Sequence, residues 1–261
     1  MIKSVTSGLA LLVVLTSYAQ TDAGALHEKD TLPTAIHQPI PSVKRPFPYK
    51  KMLIPATMIA YGVVSLESDG LQDLHEEIKE EIWTERIHKE IHIDDYLQWA
   101  PAAMVYGLNM AGIKGKNNLL DRSAIYFMSE IIMSSTVSAV KRISGEWRPN
   151  GNGRHSFPSG HTANAFAAAE FLRKEYRDVS PWYGIAGYAM AATTGYLRMY
   201  NNKHWLGDVV AGAGVGILST NIAYYMYPAV KRILFKNRSM HTIVLPTYQN
   251  GHIGLGLMHG F

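Results

Sequence analysis

The sequence predicts an all-α fold: a bundle of about six core helices with a charged cluster at one end, followed by a short C-terminal β-hairpin. Apolar stretches at 51–66, 97–113, 123–140, 182–197 and 205–228 are long enough for helices and too long for ordinary strands. Another segment has amphipathic helix spacing, with Leu71, Leu74, Ile78 and Ile82 three and four residues apart. Only the tail changes character: 242–249 and 252–258 flank Asn250-Gly251, a dipeptide that favours a hairpin turn.

Taken in order, residues 1–19 read as a signal peptide. Lys3 supplies the positive start, Leu9 to Leu15 the apolar run, and Ser17-Tyr18-Ala19 the cleavage site. Residues 20–50 carry Pro33, Pro39, Pro41, Pro46 and Pro48 and read as a linker. The helical domain is assigned to 51–238 and the hairpin tail to 239–261. The first stretch, 51–66, contains Pro55 and is marginal in length for a membrane span. In 71–82 the other face carries Glu76, Glu77, Lys79, Glu80 and Glu81, so that helix packs on the domain or lies at an interface. His75, His88 and His92 read as surface histidines. A shorter stretch, 162–172, carries Glu170. Glu130 interrupts 123–140; in a membrane such a carboxylate faces protein, not lipid.

Composition narrows the function classes. Hydrophobic residues make up 47% and charged residues 18%, below the usual quarter. The mean hydropathy of -0.05 is nevertheless too low for a chain mostly embedded in lipid. A net charge of +4 suits an anionic surface or substrate. The basic residues form no run, which argues against nucleic acid. With no Cys, disulfides and thiol chemistry are excluded. Basic residues do recur in alternate loops: Lys114, Lys116 and Arg122; Arg173, Lys174 and Arg177; Lys231, Arg232, Lys236 and Arg238. If the helices span, these loops face the cytoplasm and the intervening ones face the opposite side.

The intervening loops carry three clusters: Lys141 with Arg148-Pro149, then Pro158-Ser159-Gly160-His161, then Arg198 with His204 and Asp208. Arg holds a phosphate as a planar fork and Lys as a point charge. His204 and Asp208 are four apart, so on a helix they share a face. A carboxylate bonded to one imidazole nitrogen fixes the tautomer and frees the other as a nucleophile. Ser159-Gly160 before His161 suggests a helix N-terminus, where free N–H groups receive anions. His161 is then placed to act as a general acid. No third ligand lies at metal-site spacing, and a nest of cations repels a metal.

The pattern resembles that of the type 2 phosphatidic acid phosphatase superfamily, which also includes vanadium haloperoxidases and bacterial acid phosphatases. The resemblance covers about residues 50–230. The chain departs at Leu197, where the family usually has Ser, and in a short gap between the first two clusters. The resemblance implies a phosphatase needing no metal or cofactor. His204 would form a phosphohistidine, Asp208 would orient it, and His161 would protonate the leaving group and then activate water. Lys141, Arg148, Ser159, Gly160 and Arg198 would bind the phosphate. The partner expected is a phosphorylated membrane lipid, best matched by lipid A phosphate, at an inner-membrane site facing the periplasm. Undecaprenyl pyrophosphate and phosphatidylglycerol phosphate are alternative substrates. A soluble periplasmic acid phosphatase, a vanadate-dependent haloperoxidase and a non-enzymatic lipid-binding protein are alternative functions.

Overall fold

The structure is a computed structural model and describes residues 47–85, 88–234, 242–249 and 252–259. The signal peptide (1–19) and nearly all of the linker (20–50) lie outside the described residues.

Helix α1 (Tyr49–Val64) takes Pro55 within its length. Helix α2 (Asp69–Lys79) runs on into a π-helical turn, Glu80–Thr84. A short helix α3 (Asp94–Leu97) precedes α4 (Ala100–Met110), which carries Pro101 in its first turn, where the missing N–H costs nothing. Helix α5 (Leu119–Ser144) is capped by Asn118, whose side chain accepts the Asp121 N–H, and ends on Gly145 at φ 57°, the left-handed conformation that glycine adopts without strain. Helices α6 (Gly160–Tyr176) and α7 (Pro181–Tyr200) are capped by Ser159 and Ser180, each accepting a backbone N–H. Helix α8 (Leu206–Leu234) closes the helical region.

Helix α6 is the axis of the bundle, packed by α4, α5, α7 and α8. Its Ala163, Ala165, Ala167, Ala168 and Ala169 are fully buried, so it is lined by small side chains on every side. Small residues let neighbouring backbones approach closely, and α8 answers with glycine. A Cβ on Gly216 would stand 2.1 Å from the Ala163 carbonyl oxygen, and one on Gly212 2.5 Å from that of Ser159. On another face of α8, a Cβ on Gly214 would stand 2.6 Å from the Pro55 carbonyl oxygen of α1.

The bundle has a polar end and a charged end. Away from the reactive cluster, buried Glu175 accepts from Asn117 Nδ2 at 2.6 Å and Tyr224 Oη at 2.6 Å, and Arg122 Nε lies 3.8 Å away. Buried Glu170 takes a two-pronged contact from Arg173 at 2.6 and 2.7 Å. Paired in this way, buried charges avoid the full desolvation penalty.

The structure corrects the expected fold class. Among the described residues there are eight α-helices; α1 and α4 to α8 supply the packed core clusters, in line with the expected bundle of about six core helices, and α2 and α3 lie outside those clusters. The fold is all-α: the described residues of 47–234 include no strand, and the buried residues of every core cluster sit on helices, so the expected hairpin is no part of the bundle. The terminal segments Thr242–Gln249 and His252–His259 pair only with each other in a two-stranded sheet. His75 is also corrected: it is buried, not a surface histidine, and its ring stacks 6.4 Å from that of Trp205. His88 is half-buried and stacked 3.8 Å from Tyr200, while His92 is exposed.

Candidate active site

The C-terminal ends of α5 and α7 and the N-terminal ends of α6 and α8 meet at the charged end of the bundle. The three sequence clusters ride on those four ends. Lys141 stands in the last turn of α5 and donates to the carbonyls of His155 (2.5 Å) and Ser156 (3.1 Å), bracing the loop that leads to α6. Ser159 caps α6, and its own N–H donates to the Asp208 carbonyl at 3.0 Å, which ties the start of α6 to the start of α8. Gly160 and His161 form the first turn of α6. A Cβ on Gly160 would meet only Val137, at an ordinary 3.7 Å, so packing alone does not require glycine there.

His204 is 4% exposed and Asp208 1% exposed. The His204 Nδ1 lies 3.4 Å from Asp208 Oδ2 and 3.3 Å from Ser156 Oγ. The same Oδ2 accepts from Ser156 Oγ and, at 2.9 Å, from the Trp205 N–H. This fixes the ring by one edge and leaves Nε2 as its other nitrogen. Burial lowers the His204 pKa to about 4 against the pull of Asp208, with Lys141 and Arg198 adding to the fall. The ring is therefore neutral at pH 7, as a nitrogen nucleophile must be.

The cations are held apart by partners and are short of acceptors. Arg198 donates through one terminal nitrogen to Asp94 Oδ2 at 2.6 Å, and its Nε is buried without a partner among the described residues. The Arg148 Nε is likewise buried and unpartnered. Burial and the Arg198 charge depress the Arg148 pKa. Buried donors without acceptors are costly and call for an anion. Among the described residues no group of three His, Asp or Glu side chains could hold a metal ion.

The structure brings together Lys141, Arg148, Ser159, His161, Arg198, His204 and Asp208. The sequence reading missed three side chains. Ser156 buttresses the His204–Asp208 pair. Asp94 anchors Arg198. Asp95 meets His161, its Oδ1 accepting from Nε2 at 2.9 Å. An excess of cations with too few local carboxylates was the one available signal for the two aspartates.

The family model of the PAP2 superfamily matches residues 122–232. This segment belongs to the PAP2 superfamily. It runs from the start of α5 almost to the end of α8 and takes in all three clusters. Among curated relatives of this chain, a lipid A 1-phosphatase of Porphyromonas gingivalis is 35% identical over 160 residues, 61% of this chain and 35% of the relative. A lipid A 4'-phosphatase of Bacteroides thetaiotaomicron is 38% identical over 74 residues, 28% of this chain and 32% of the relative. The chain thus spans about a third of the length of the curated relatives it matches. Among solved structures, the crystal structure of Aquifex aeolicus LpxE is similar at a TM-score of 0.45 and 20% identity, covering 58% of this chain and 95% of that one.

Proposed function

We propose that this chain is a metal-independent phosphatase that removes a phosphate from an envelope lipid, with lipid A phosphate as its substrate. The observation that carries the chemistry is the pair of buried, unpartnered guanidinium Nε donors of Arg148 and Arg198 beside a neutral, carboxylate-held His204. The activities of the curated relatives, a lipid A 1-phosphatase and a lipid A 4'-phosphatase, favour lipid A over other phosphorylated lipids.

In this reading His204 Nε2 attacks phosphorus as the bond from phosphorus to the leaving oxygen breaks. His161 gives that oxygen its proton. Water then attacks the phosphohistidine, loses its proton to His161, and releases inorganic phosphate as the N–P bond breaks. Lys141, Arg148 and Arg198, with Ser159 and the Gly160 N–H, stabilise the charge on the equatorial oxygens. Two features support a membrane setting. Helices α5 and α8 are long and apolar enough to cross a bilayer. Leu53 and Ile54 on α1, Phe127 on α5 and Trp182 and Ile185 on α7 are all more than half exposed, an apolar surface suited to lipid. The site would open to the periplasm.

The test is phosphate release by the purified protein from lipid A, undecaprenyl pyrophosphate, phosphatidylglycerol phosphate and an aryl phosphate, with and without EDTA. Release from lipid A should lead and should survive EDTA, and mass spectrometry of the lipid reads which phosphate leaves. Loss of activity in EDTA with recovery on one divalent ion would overturn the mechanism; release confined to another lipid would overturn the substrate.

A further inference from the structure

We propose that Asp95 is the positioning partner of His161, holding the imidazole by Nε2 so that Nδ1 serves the leaving group. This rests on the reading of His161 as the general acid. The site then contains two carboxylate–imidazole pairs, Asp208 with His204 for attack and Asp95 with His161 for proton transfer.

The argument is one of placement. Asp95 Oδ1 and His161 Nε2 are 2.9 Å apart although 66 residues separate them in the chain. The backbone that carries Asp95 is clamped on both sides. Before α3, Ile91 exchanges two hydrogen bonds with the side chain of Asn201 at the end of α7, at 2.9 and 2.7 Å. After it, Gln98 Oε1 accepts from Asn164 Nδ2 at 3.1 Å. Asn164 lies three residues beyond His161, on the same face of α6. Asp94, the preceding residue, is fully buried and holds Arg198 at 2.6 Å. Helix α3 thus delivers two consecutive carboxylates to fixed addresses, one on a phosphate-seeking cation and one on the candidate acid.

The charges around His161 give the Asp95 carboxylate a cation and burial to work against. Burial disfavours protonation of His161, and Arg198 on α7 adds to it. From α3, Asp95 and Asp94 oppose this. Around Asp95 itself stand Arg198, 4.0 Å from Oδ1, and His92, 3.9 Å from Oδ2, with Glu90 3.7 Å beyond His92. Without Asp95 the ring would lose its hydrogen-bonded anion and keep the cation.

The test uses the full chain and follows kcat/KM with pH on an alkyl phosphate and on an aryl phosphate with an acidic phenol. Asp95→Asn keeps the side-chain shape and removes the charge. The expected result is a tenfold or larger fall in the alkyl-to-aryl rate ratio, with the basic limb moved about one unit to lower pH. Asp95→Glu should restore much of the limb. In a His161→Ala background, adding Asp95→Asn should cost less than twofold, because the two residues act as one unit. NMR titration of the His161 ring, free of substrate, should show the same downward shift in Asp95→Asn. Equal losses on both substrates with an unmoved limb and an unmoved ring titration would overturn the proposal, leaving Asp95 a structural residue. Faster turnover in Asp95→Asn would also overturn it, since Asp95 would then be an obstacle to the incoming phosphate. A His161→Ala enzyme indifferent to the leaving group, with the ring titration still moved by Asp95→Asn, would instead sink the general-acid reading beneath it.

Discussion

His204 sits where protonation would cost the fold and, in the proposed mechanism, the attack as well. Its pKa of about 4, lowered by burial, keeps the ring neutral over the working range. His161 is also held below its ordinary 6.5, by burial and Arg198. In the proposed mechanism His204, as nucleophile, must be unprotonated, and His161, as general acid, must be protonated. We therefore expect kcat/KM, corrected for the ionisation of the substrate, to be a bell with its acid limb near 4 and its basic limb below 6.5. An optimum on the alkaline side of neutrality would refute this pairing of roles. Stability should follow the same group. Between about 6.5 and 4 the unfolded chain binds a proton at this position that the folded chain refuses, so stability falls as pH falls through that window. Acid unfolding of His204→Gln should be less steep there. At this scale much of the candidate site was legible, because few side chains can do phosphate chemistry and Lys141, Arg148, His161, Arg198, His204 and Asp208 are all of those kinds. Asp94 and Asp95 were not legible. Their partners lie 104 and 66 residues away, and an acid at the start of a short helix has no local signature of a distant cation or imidazole.

Among the helices, α6 carries the most consequence and left the weakest trace in the sequence. Its alanines are buried all round, so no polar face marks the period, and 162–172 read as a short stretch within what is a 17-residue helix. Helix α3, four residues long, is too short for any periodicity to register. The long apolar helices α5, α7 and α8 were legible because their length alone excludes strands. What periodicity could not reveal is how closely α6 and α8 pack. A methyl group on Gly216 would fall 2.1 Å from the Ala163 carbonyl and 2.8 Å from the Ala167 nitrogen, and backbone atoms cannot swing aside. Gly216→Ala should therefore destabilise the fold by about 1–3 kcal/mol, the usual cost of overpacking. Gly70→Ala on α2, where a Cβ meets nothing within 4 Å, is the control and should be neutral or slightly stabilising. Thermal unfolding of the two variants checks both, and equal midpoints would refute the backbone contact. Because Ser159 and His161 start α6 while Asp208 starts α8, Gly216→Ala should also lower turnover more than Gly70→Ala does.

On the scale of the whole molecule, helix lengths bear on how the bundle meets a bilayer. At 1.5 Å per residue α5 and α8 extend about 39 and 44 Å, beyond a hydrocarbon core of about 30 Å, and α7 just reaches it at about 30 Å. Helix α1 reaches only about 24 Å. Helix α8 is mostly buried within the bundle while α5 is mostly not, so α5 offers the longer exposed apolar surface. The loop charges are less decisive than their number suggests. Arg122 is 1% exposed and bonded to the Asn117 carbonyl, Arg173 is held by Glu170, and Lys231 meets Asp121 at 2.7 Å. Lys114 and Lys116 remain exposed at the end away from the site. The absence of cysteine makes orientation directly measurable. Asn152 lies in the exposed loop between Arg148 and Ser159, and Lys116 in the loop before α5. With single cysteines at these positions, a membrane-impermeant maleimide should label Asn152→Cys in intact spheroplasts and Lys116→Cys only after lysis. Labelling at Lys116→Cys alone would invert the orientation and put the site in the cytoplasm. Labelling at both, with the protein released by a carbonate wash, would make the bundle a soluble periplasmic domain whose exposed apolar side chains need another partner.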